Sequence, residues 1–278
     1  MEVGSGEWET RGQGDTETRG QEISFSLPLV SPSPCPLVLP SPLPIPHCSL
    51  PVVNICSVTI DNNKTGRLRR IGVLGDIHCE DDRLETALRF FETRRLDLIC
   101  SVGDVVDGPG DPNRTIDLLI EHKVACVRGN HERWLLKGEM RDLPDSNTYF
   151  DFKMSSWEFV KGLPALRRFE TVAGAALLCH GLGENDMGGV WPWDDALTLH
   201  SNHALWKLVN SHEYDFVIDG HTHRRLVQKF DDLTLINAGT LFRKHNPCCL
   251  IVDFEAGVAE YFNLPGEDKI AEAERIEL

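Results

Sequence analysis

Short apolar runs recur from residue 71 onward and strongly limit the folds that this 278-residue chain can adopt. Runs of this length, rich in Val, Ile and Leu, are typical of strands buried on both faces. The stretches between them, such as DDRLETALRFFETRR and RTIDLLIEHK, carry apolar residues at helical spacing. This alternation predicts a layered α/β domain whose sheet is largely parallel at its start. The runs are IGVLG (71–75), LDLICSVG (96–103), VACVRG (124–129), AALLCHG (175–181), FVIDG (216–220), LTLINAG (233–239) and CLIVDF (249–254).

The first 66 residues do not share this pattern. They begin with an acidic stretch rich in Gly, Thr and Gln, and continue with a segment that holds more than half of the chain's 16 prolines. Such a segment cannot form a helix and favours extended polyproline II conformations. We therefore expect a disordered, acidic and then Pro-rich extension over 1–66, a folded domain over 67–264 and an acidic tail over 265–278. Near the end of the domain, IVDF-EAG-VAEYF predicts a hairpin.

Composition narrows the class of protein. The 41% hydrophobic and 26% charged residues are ordinary for a soluble globular protein. The formal charge of -15 argues against a stable nucleic-acid partner, because such binding needs clustered Lys and Arg. Cys100, Cys126 and Cys179 lie inside apolar runs and no CxxC pair occurs, so we expect reduced, core-filling thiols and a cytoplasmic location. No apolar stretch is long enough to predict a membrane span.

Polar side chains follow five of the apolar runs, each with a glycine nearby. Taken singly, an Asp or His at such a position is often only part of a turn. Ligands of open α/β sheets gather at the carboxyl ends of strands, so the joint pattern predicts that these residues converge in one site. They are Asp76 and His78 in GDIH, Asp104 and Asp107 in GDVVD, Asn130 and His131 in GNHE, His180 in CHG, and His221 and His223 in GHTH.

This set of side chains indicates a metal site. Imidazole nitrogens, carboxylates and an amide oxygen without any thiolate suit Mn, Fe, Zn, Co or Ni better than Ca or Mg. Seven protein ligands are too many for one such ion, but they fill two sites if one carboxylate is shared. We therefore expect two divalent metal ions.

The blocks GDIH, GDVVDG, RGNHE, CHG and GHTH, followed by NAGT, resemble the motifs of the calcineurin-like metallophosphoesterases over about residues 70–262. The resemblance implies a four-layer αββα sandwich of two mixed sheets flanked by helices. It also implies which side chains bind which metal. Asp76, His78 and His223 would bind one ion, Asn130, His180 and His221 the other, and Asp104 both.

The implied reaction is hydrolysis of a phosphoester by a metal-activated hydroxide. His131 is adjacent to a ligand without being counted as one, and its pKa near neutrality suits a general acid for the leaving group. By their positions in the family's protein-phosphatase branch, Asp107 would orient His131 and Arg128 would bind phosphoryl oxygens. That branch has an Arg after the second Asp, whereas this chain has Gly108, which argues against a dedicated Ser/Thr protein phosphatase.

Several further residues carry weaker expectations. We expect Asn237 to shape a loop near the site, and Glu132 to fix the GNHE loop or to cap the helix after it. Trp191 and Trp193 follow the CHG block in a Gly-rich segment. They would either stack on a nucleobase or pack a helix that begins near residue 194.

The sequence thus predicts hydrolysis of a phosphomonoester or phosphodiester, the substrate being a small phosphorylated molecule or a phosphoprotein. A diadenosine-tetraphosphatase-like nucleotide hydrolase, a phosphoprotein phosphatase and a catalytically silent scaffold of the same fold remain alternatives. The scaffold is disfavoured because every predicted metal ligand and His131 are present.

Overall fold

The computed structural model describes residues 66–278, with side chains for all of these except 272 and 273. The extension predicted over 1–66 lies outside the described residues, apart from Gly66. The strands are β1 (Arg70–Leu74), β2 (Leu98–Ser101), β3 (Ala125–Cys126), β4 (Arg167–Thr171), β5 (Gly174–Leu178), β6 (Phe216–Asp219), β7 (Arg225–Phe230), β8 (Leu233–Ala238), β9 (Cys248–Asp253), β10 (Val258–Asn263) and β11 (Ala271–Glu277). The helices are α1 (Asp81–Glu92), α2 (Pro112–Glu121), α3 (Asn130–Lys137), α4 (Met154–Gly162), α5 (Ala196–Ser201) and α6 (His203–Ser211).

The strands form two mixed sheets. The first has the order β11-β10-β9-β1-β2-β3, and the second has the order β4-β5-β6-β8-β7. In the first sheet β1, β2 and β3 are parallel, as the sequence predicts, while β9 pairs antiparallel with β1. In the second sheet β5, β6 and β8 are parallel, and the outer strands β4 and β7 are antiparallel to their neighbours. The predicted fold class, two mixed sheets flanked by helices, is confirmed.

Side-chain alternation along the strands builds the layers. Ile71 and Val73 of β1 pack in one apolar cluster with Leu178 of β5 and Ile218 of β6, so this core lies between the two sheets. Leu74 faces the other way and packs against buried residues of α1 and α2. On the outer face of the second sheet, Leu177, Val217 and Leu235 pack against α6. The order of layers is therefore helix, sheet, sheet, helix.

The residues before and at the start of α2 stabilise its first turn. Asp111 precedes the helix and its side chain accepts hydrogen bonds from the backbone N–H groups of Asn113 (2.8 Å) and Arg114 (3.3 Å), while Pro112 occupies the first helical position. Both features stabilise a helix start, because the first N–H groups lack partners within the helix.

Cys100 and Cys179 are buried free thiols, as expected for core-filling residues. None of the helices within residues 66–278 has the length and apolar character needed to cross a membrane.

The C-terminal end contains more regular structure than the sequence analysis predicts. The hairpin of β9 and β10 is present, with Asp253 paired to Val258. The segment expected to be an acidic tail, 265–278, contains β11, which pairs antiparallel with β10 from Glu277 opposite Val258 to Ala271 opposite Asn263. An edge strand needs few apolar side chains, and the sequence AEAERIE offers no buried-strand pattern to detect.

Candidate active site

The seven predicted metal ligands meet at the carboxyl ends of strands from both sheets. Asp76 and His78 follow β1, Asp104 follows β2, Asn130 opens α3 after β3, His180 follows β5, and His221 and His223 follow β6. Asp76 and Asp104 are 0% and 2% exposed. Buried carboxylates require a compensating positive charge, so their presence among imidazole rings favours a cation at this place.

A first cluster consists of Asp76, His78 and His223. The Nε2 atoms of the two histidines lie 3.1 Å apart, and Nε2 of His223 lies 3.7 Å from Oδ1 of Asp76. The atoms that these three residues offer all lie within 4.8 Å of one another. Nδ1 of His78 is 2.9 Å from the carbonyl oxygen of Asp107, which accepts its proton and leaves Nε2 as a lone-pair donor. This is the arrangement expected of a metal-binding histidine.

A second cluster consists of Asn130, His180 and His221. The amide Oδ1 of Asn130 lies 2.8 Å from Nε2 of His180 and 3.0 Å from Nδ1 of His221. Nδ1 of His180 is 3.0 Å from the carbonyl oxygen of Val102. As in His78, a backbone carbonyl accepts the Nδ1 proton and leaves Nε2 as the nitrogen that faces the cluster. Burial lowers the pKa of His180, but the nearby carboxylates of Asp104 and Asp76 outweigh it and raise that pKa to about 10.

Asp104 lies between the two clusters. Its Oδ2 is 3.2 Å from Nε2 of His180 and 3.9 Å from Nε2 of His78. Burial raises the pKa of Asp104, but His180 and His131 lower it more, so the net shift is well below the usual range. The donor set and its compactness fit divalent cations of the first transition row.

Unusual backbone conformations also concentrate at this site. Left-handed backbone is uncommon for residues other than glycine, and where it persists it often marks a functional site. Four of the predicted ligands adopt it, namely His78 (φ 47°), Asp104 (φ 47°), His221 (φ 64°) and His223 (φ 57°).

Glu132 fixes the loops that carry these ligands. Its buried carboxylate accepts hydrogen bonds from the backbone N–H groups of Asp104 (3.0 Å), Val105 (2.6 Å), Val106 (3.1 Å) and Gly129 (2.7 Å). The loop after β2 and the start of α3 are therefore tied together through one side chain, as expected from the position of Glu132 in GNHE. A Cβ at position 129 would lie 2.1 Å from Oδ1 of Asp104, which explains the glycine before Asn130.

His131 and Asp107 form a hydrogen-bonded pair beside the clusters. Nδ1 of His131 lies 2.8 Å from Oδ2 of Asp107, and its Nε2 faces Oδ2 of Asp104 at 4.0 Å. Burial lowers the pKa of His131, but Asp104 and Asp107 raise it above its usual value. The pair places a ring nitrogen that can carry a proton next to the predicted ligands.

Arg141 completes this pair, although no pattern in the sequence marks it. Its Nη1 and Nη2 donate to Oδ1 and Oδ2 of Asp107 at 2.9 and 2.8 Å, and Nη1 also donates to the Asn147 carbonyl. The backbone N–H of Asn147 donates to Oδ1 of Asp107 at 2.7 Å. Arg141 lies in an irregular segment after α3, where neither periodicity nor a strand end marks it.

The structure explains Gly108. A Cβ at this position would lie 1.7 Å from the carbonyl oxygen of His78, so no side chain fits. The arginine that the protein-phosphatase branch has here is thus excluded by sterics. The positive charge beside Asp107 comes instead from Arg141, which uses both of its terminal nitrogens to hold the carboxylate.

A cavity of about 420 Å³ lies over the centre, and we call it the central cavity. Within the described residues Arg128 is not among those that line it; the backbone N–H of Arg128 donates to the Pro164 carbonyl at 2.8 Å. Its predicted role in binding phosphoryl oxygens stays a prediction. The central cavity is lined by predicted ligands, by His131 and Asp107, and by Gly108, Trp134, Met140, Leu143, Pro144, Asp145, Phe242 and Lys244.

Asn237 shapes the turn before His221, because its Nδ2 donates to the Gly220 carbonyl at 2.5 Å.

The two tryptophans differ in their surroundings. Trp193 is 65% exposed, and the guanidinium of Arg224 lies 5.5 Å from its ring, so it does not pack a helix in the core. The backbone N–H of Trp191 donates to Asp194 at 2.9 Å. The following helix, α5, begins at Ala196, with Asp195 as its N-cap.

Comparison with known proteins matches most of the described residues to one family. The family model described as the calcineurin-like phosphoesterase superfamily domain matches residues 70–257. Phosphodiesterase MJ0936 of Methanocaldococcus jannaschii is 23% identical over 177 residues, which are 61% of this chain and 82% of that protein.

Two solved structures share the fold. Hypothetical protein PH1004 from Pyrococcus horikoshii superposes with a TM-score of 0.59 at 16% identity, covering 70% of this chain and 87% of that one. A metallophosphoesterase from Sphaerobacter thermophilus superposes with a TM-score of 0.51 at 17% identity, covering 74% of this chain and 88% of that one. At these identities the structures support the fold alone.

Proposed function

Because the chain belongs to the calcineurin-like phosphoesterase superfamily, we propose that it is a phosphodiesterase that depends on two divalent metal ions. One observation carries the proposal, namely the convergence of the predicted ligands into two clusters joined by Asp104. The similarity to a phosphodiesterase supports the choice of diesters over monoesters. Gly108 argues against a phosphoprotein phosphatase, and the intact pair of His131 and Asp107 argues against a silent scaffold.

The first cluster would hold one ion, the second cluster the other, and the Asp104 carboxylate both. Divalent cations bound there supply the charge that polarises a phosphoryl oxygen and lowers the pKa of a water molecule. Other groups of the chain hold the metal-binding side chains in position. Carbonyl oxygens of Asp107 and Val102 fix the rings of His78 and His180, and Glu132 fixes the loop of Asp104.

His131 would protonate the leaving oxygen of the ester. Its Nδ1–H is held by Asp107, so the proton it donates is the one on Nε2, the nitrogen that faces the candidate centre. Arg141 would act as a positioning residue, because it holds both oxygens of Asp107 and thereby the ring of His131. Hydrogen bonds on both sides of the carboxylate leave the ring little freedom to rotate.

The proposal is tested by reconstituting the metal-free protein with Mn²⁺, Fe²⁺, Zn²⁺, Co²⁺ or Ni²⁺ and measuring nitrophenol release from bis(p-nitrophenyl) phosphate and from p-nitrophenyl phosphate. We expect metal-dependent turnover with a higher kcat/KM for the diester. Asp104→Asn should lower the rate by at least about 100-fold, since one metal-binding oxygen becomes an amide nitrogen. Asp117→Asn on the exposed face of α2 is the matched control. Absence of diester turnover with every metal, in protein that has bound two equivalents, contradicts the proposal.

A further inference from the structure

A second cleft, of about 820 Å³, adjoins the central cavity, and His223 and Lys244 line both. Among the residues that the structure describes, those that line this second cleft include five cations and no carboxylate, although the whole chain has a net charge of -15. We call it the basic cleft. Its cations are Arg83, Arg224, Arg225, Arg243 and Lys244.

Only part of this charge is neutralised. Arg83 and Arg243 both pair with the buried carboxylate of Glu80, at 2.8 Å each. Within the described residues, no carboxylate lies within 4 Å of the side-chain nitrogens of the other three cations. Arg225 donates to neutral oxygens of Asn246 and Asn263. The basic cleft therefore carries a positive excess that a bound anion would offset.

The basic cleft is held in place beside the candidate centre. Arg243 donates to Glu80 through its backbone N–H at 2.7 Å and through its guanidinium, which anchors the loop after β8. From the same loop, Nδ1 of His245 lies 2.7 Å from Nδ1 of His223, a residue of the first cluster. A ligand in the basic cleft would thus lie directly beside a substrate at the centre.

We propose that the basic cleft binds a second phosphate of the substrate, so that the preferred substrates are phosphodiesters that carry an additional phosphate group. This inference rests on the proposed function for the position of the scissile phosphate. Arg and Lys side chains are the usual protein partners of phosphate, and Arg can grip two of its oxygens. The cleft volume lies in the range of small-molecule sites and leaves room for the group that links the two phosphates.

A matched pair of substrates tests the inference. Thymidine 5′-(p-nitrophenyl phosphate) with a 3′-phosphate differs from the same diester without one only by the added anion. For the wild-type protein we expect kcat/KM to be at least about tenfold higher for the 3′-phosphorylated diester, the effect of one charge-assisted hydrogen bond. The double variant Arg224→Gln, Lys244→Gln should bring the ratio of the two kcat/KM values close to one.

Lys229→Gln is the matched control, because this exposed lysine lies on β7 outside the basic cleft. It should keep the wild-type ratio, which separates a local site from a general effect of net charge. Equal kcat/KM values for the two diesters with the wild-type protein, or an unchanged ratio in the double variant, overturn the inference.

A binding measurement covers the case without turnover. Calorimetric titration of the metal-loaded proteins with thymidine 3′,5′-bisphosphate and with thymidine 5′-monophosphate should show tighter binding of the bisphosphate, lost in the double variant. Equal Kd values for the two ligands overturn the inference whatever the activity. Selective binding of the bisphosphate without hydrolysis of any ester supports the basic cleft and contradicts the proposed function. Hydrolysis without selectivity contradicts the basic cleft alone.

Discussion

Replacing Asp107 by Asn should remove the hydrogen bond that holds the ring of His131 in position. Oδ1 of Asp107 accepts from Arg141 and from the Asn147 backbone, and an Asn oxygen at that position keeps both bonds. Oδ2 accepts from Nδ1 of His131 and Nη2 of Arg141, and an amide NH₂ there would face two donors. The variant therefore loses two charge-assisted hydrogen bonds.

The expected cost follows from these two bonds. Hydrogen bonds to charged groups contribute about 1.5 to 3 kcal/mol each, so the low end gives a loss of about 3 kcal/mol in the free energy of unfolding. The low end applies because the side chains of His131 and Arg141 are 18% and 19% exposed and partly screened by solvent. Urea unfolding at fixed metal concentration measures this loss.

The same variant should change turnover in a way that depends on the leaving group. A general acid contributes about 100-fold or more when the leaving oxygen is basic, and far less for p-nitrophenolate, which leaves without a proton. We expect kcat to fall about 100-fold for the phenyl ester of thymidine 5′-monophosphate and less than about tenfold for the p-nitrophenyl ester.

Asp142→Asn is the control, since Asp142 is an exposed carboxylate next to Arg141 and its loss should change stability by less than about 0.5 kcal/mol. Either of two results would refute the role of Asp107 in positioning His131. One is a stability of Asp107→Asn within about 1 kcal/mol of this control. The other is an equal fall in kcat for both esters.

Three other changes test neighbouring parts of the site. His131→Ala should lower turnover most for esters with poor leaving groups while two equivalents of metal still bind, as measured by elemental analysis; a uniform loss across leaving groups would point to a positional role. Glu132→Ala leaves four backbone N–H groups without their acceptor and should cost about 4 kcal/mol or more in urea unfolding, and a cost below about 1 kcal/mol would show that the loops are fixed otherwise. Gly108→Ala should lower Tm strongly because its Cβ would overlap the His78 carbonyl, whereas Gly66→Ala, where no atom of the described residues lies within 4 Å, should not; equal Tm values contradict the steric reading.

The sequence carries much of the fold class and most of the candidate site, because both follow from local patterns. Buried parallel strands appear in the sequence as continuous apolar runs, and their carboxyl ends meet at one edge of the sheet. The sequence therefore predicts that residues as distant as Asp76 and His223 lie in one site. The sequence also predicts loop-shaping roles for Glu132 and Asn237, and their hydrogen bonds specify those roles.

Features that depend on non-local packing could not be predicted. Arg141 reaches Asp107 from an irregular segment, and no spacing rule connects the two. The basic cleft combines Arg83 of α1 with residues that begin β7 and follow β8. The pairing of β9 with β1 brings together segments that lie far apart in the chain, and β11 lacks an apolar signal because it is an edge strand.

The presence and position of two metal ions is the central claim. Anomalous scattering from crystals of the full chain grown with Mn²⁺ tests it most directly. We predict two strong anomalous peaks about 3.5 to 4 Å apart, one contacting His78 and His223, the other contacting His180 and His221, with Asp104 at both. A single peak, or peaks away from these side chains in protein that is active with Mn²⁺, would contradict the account.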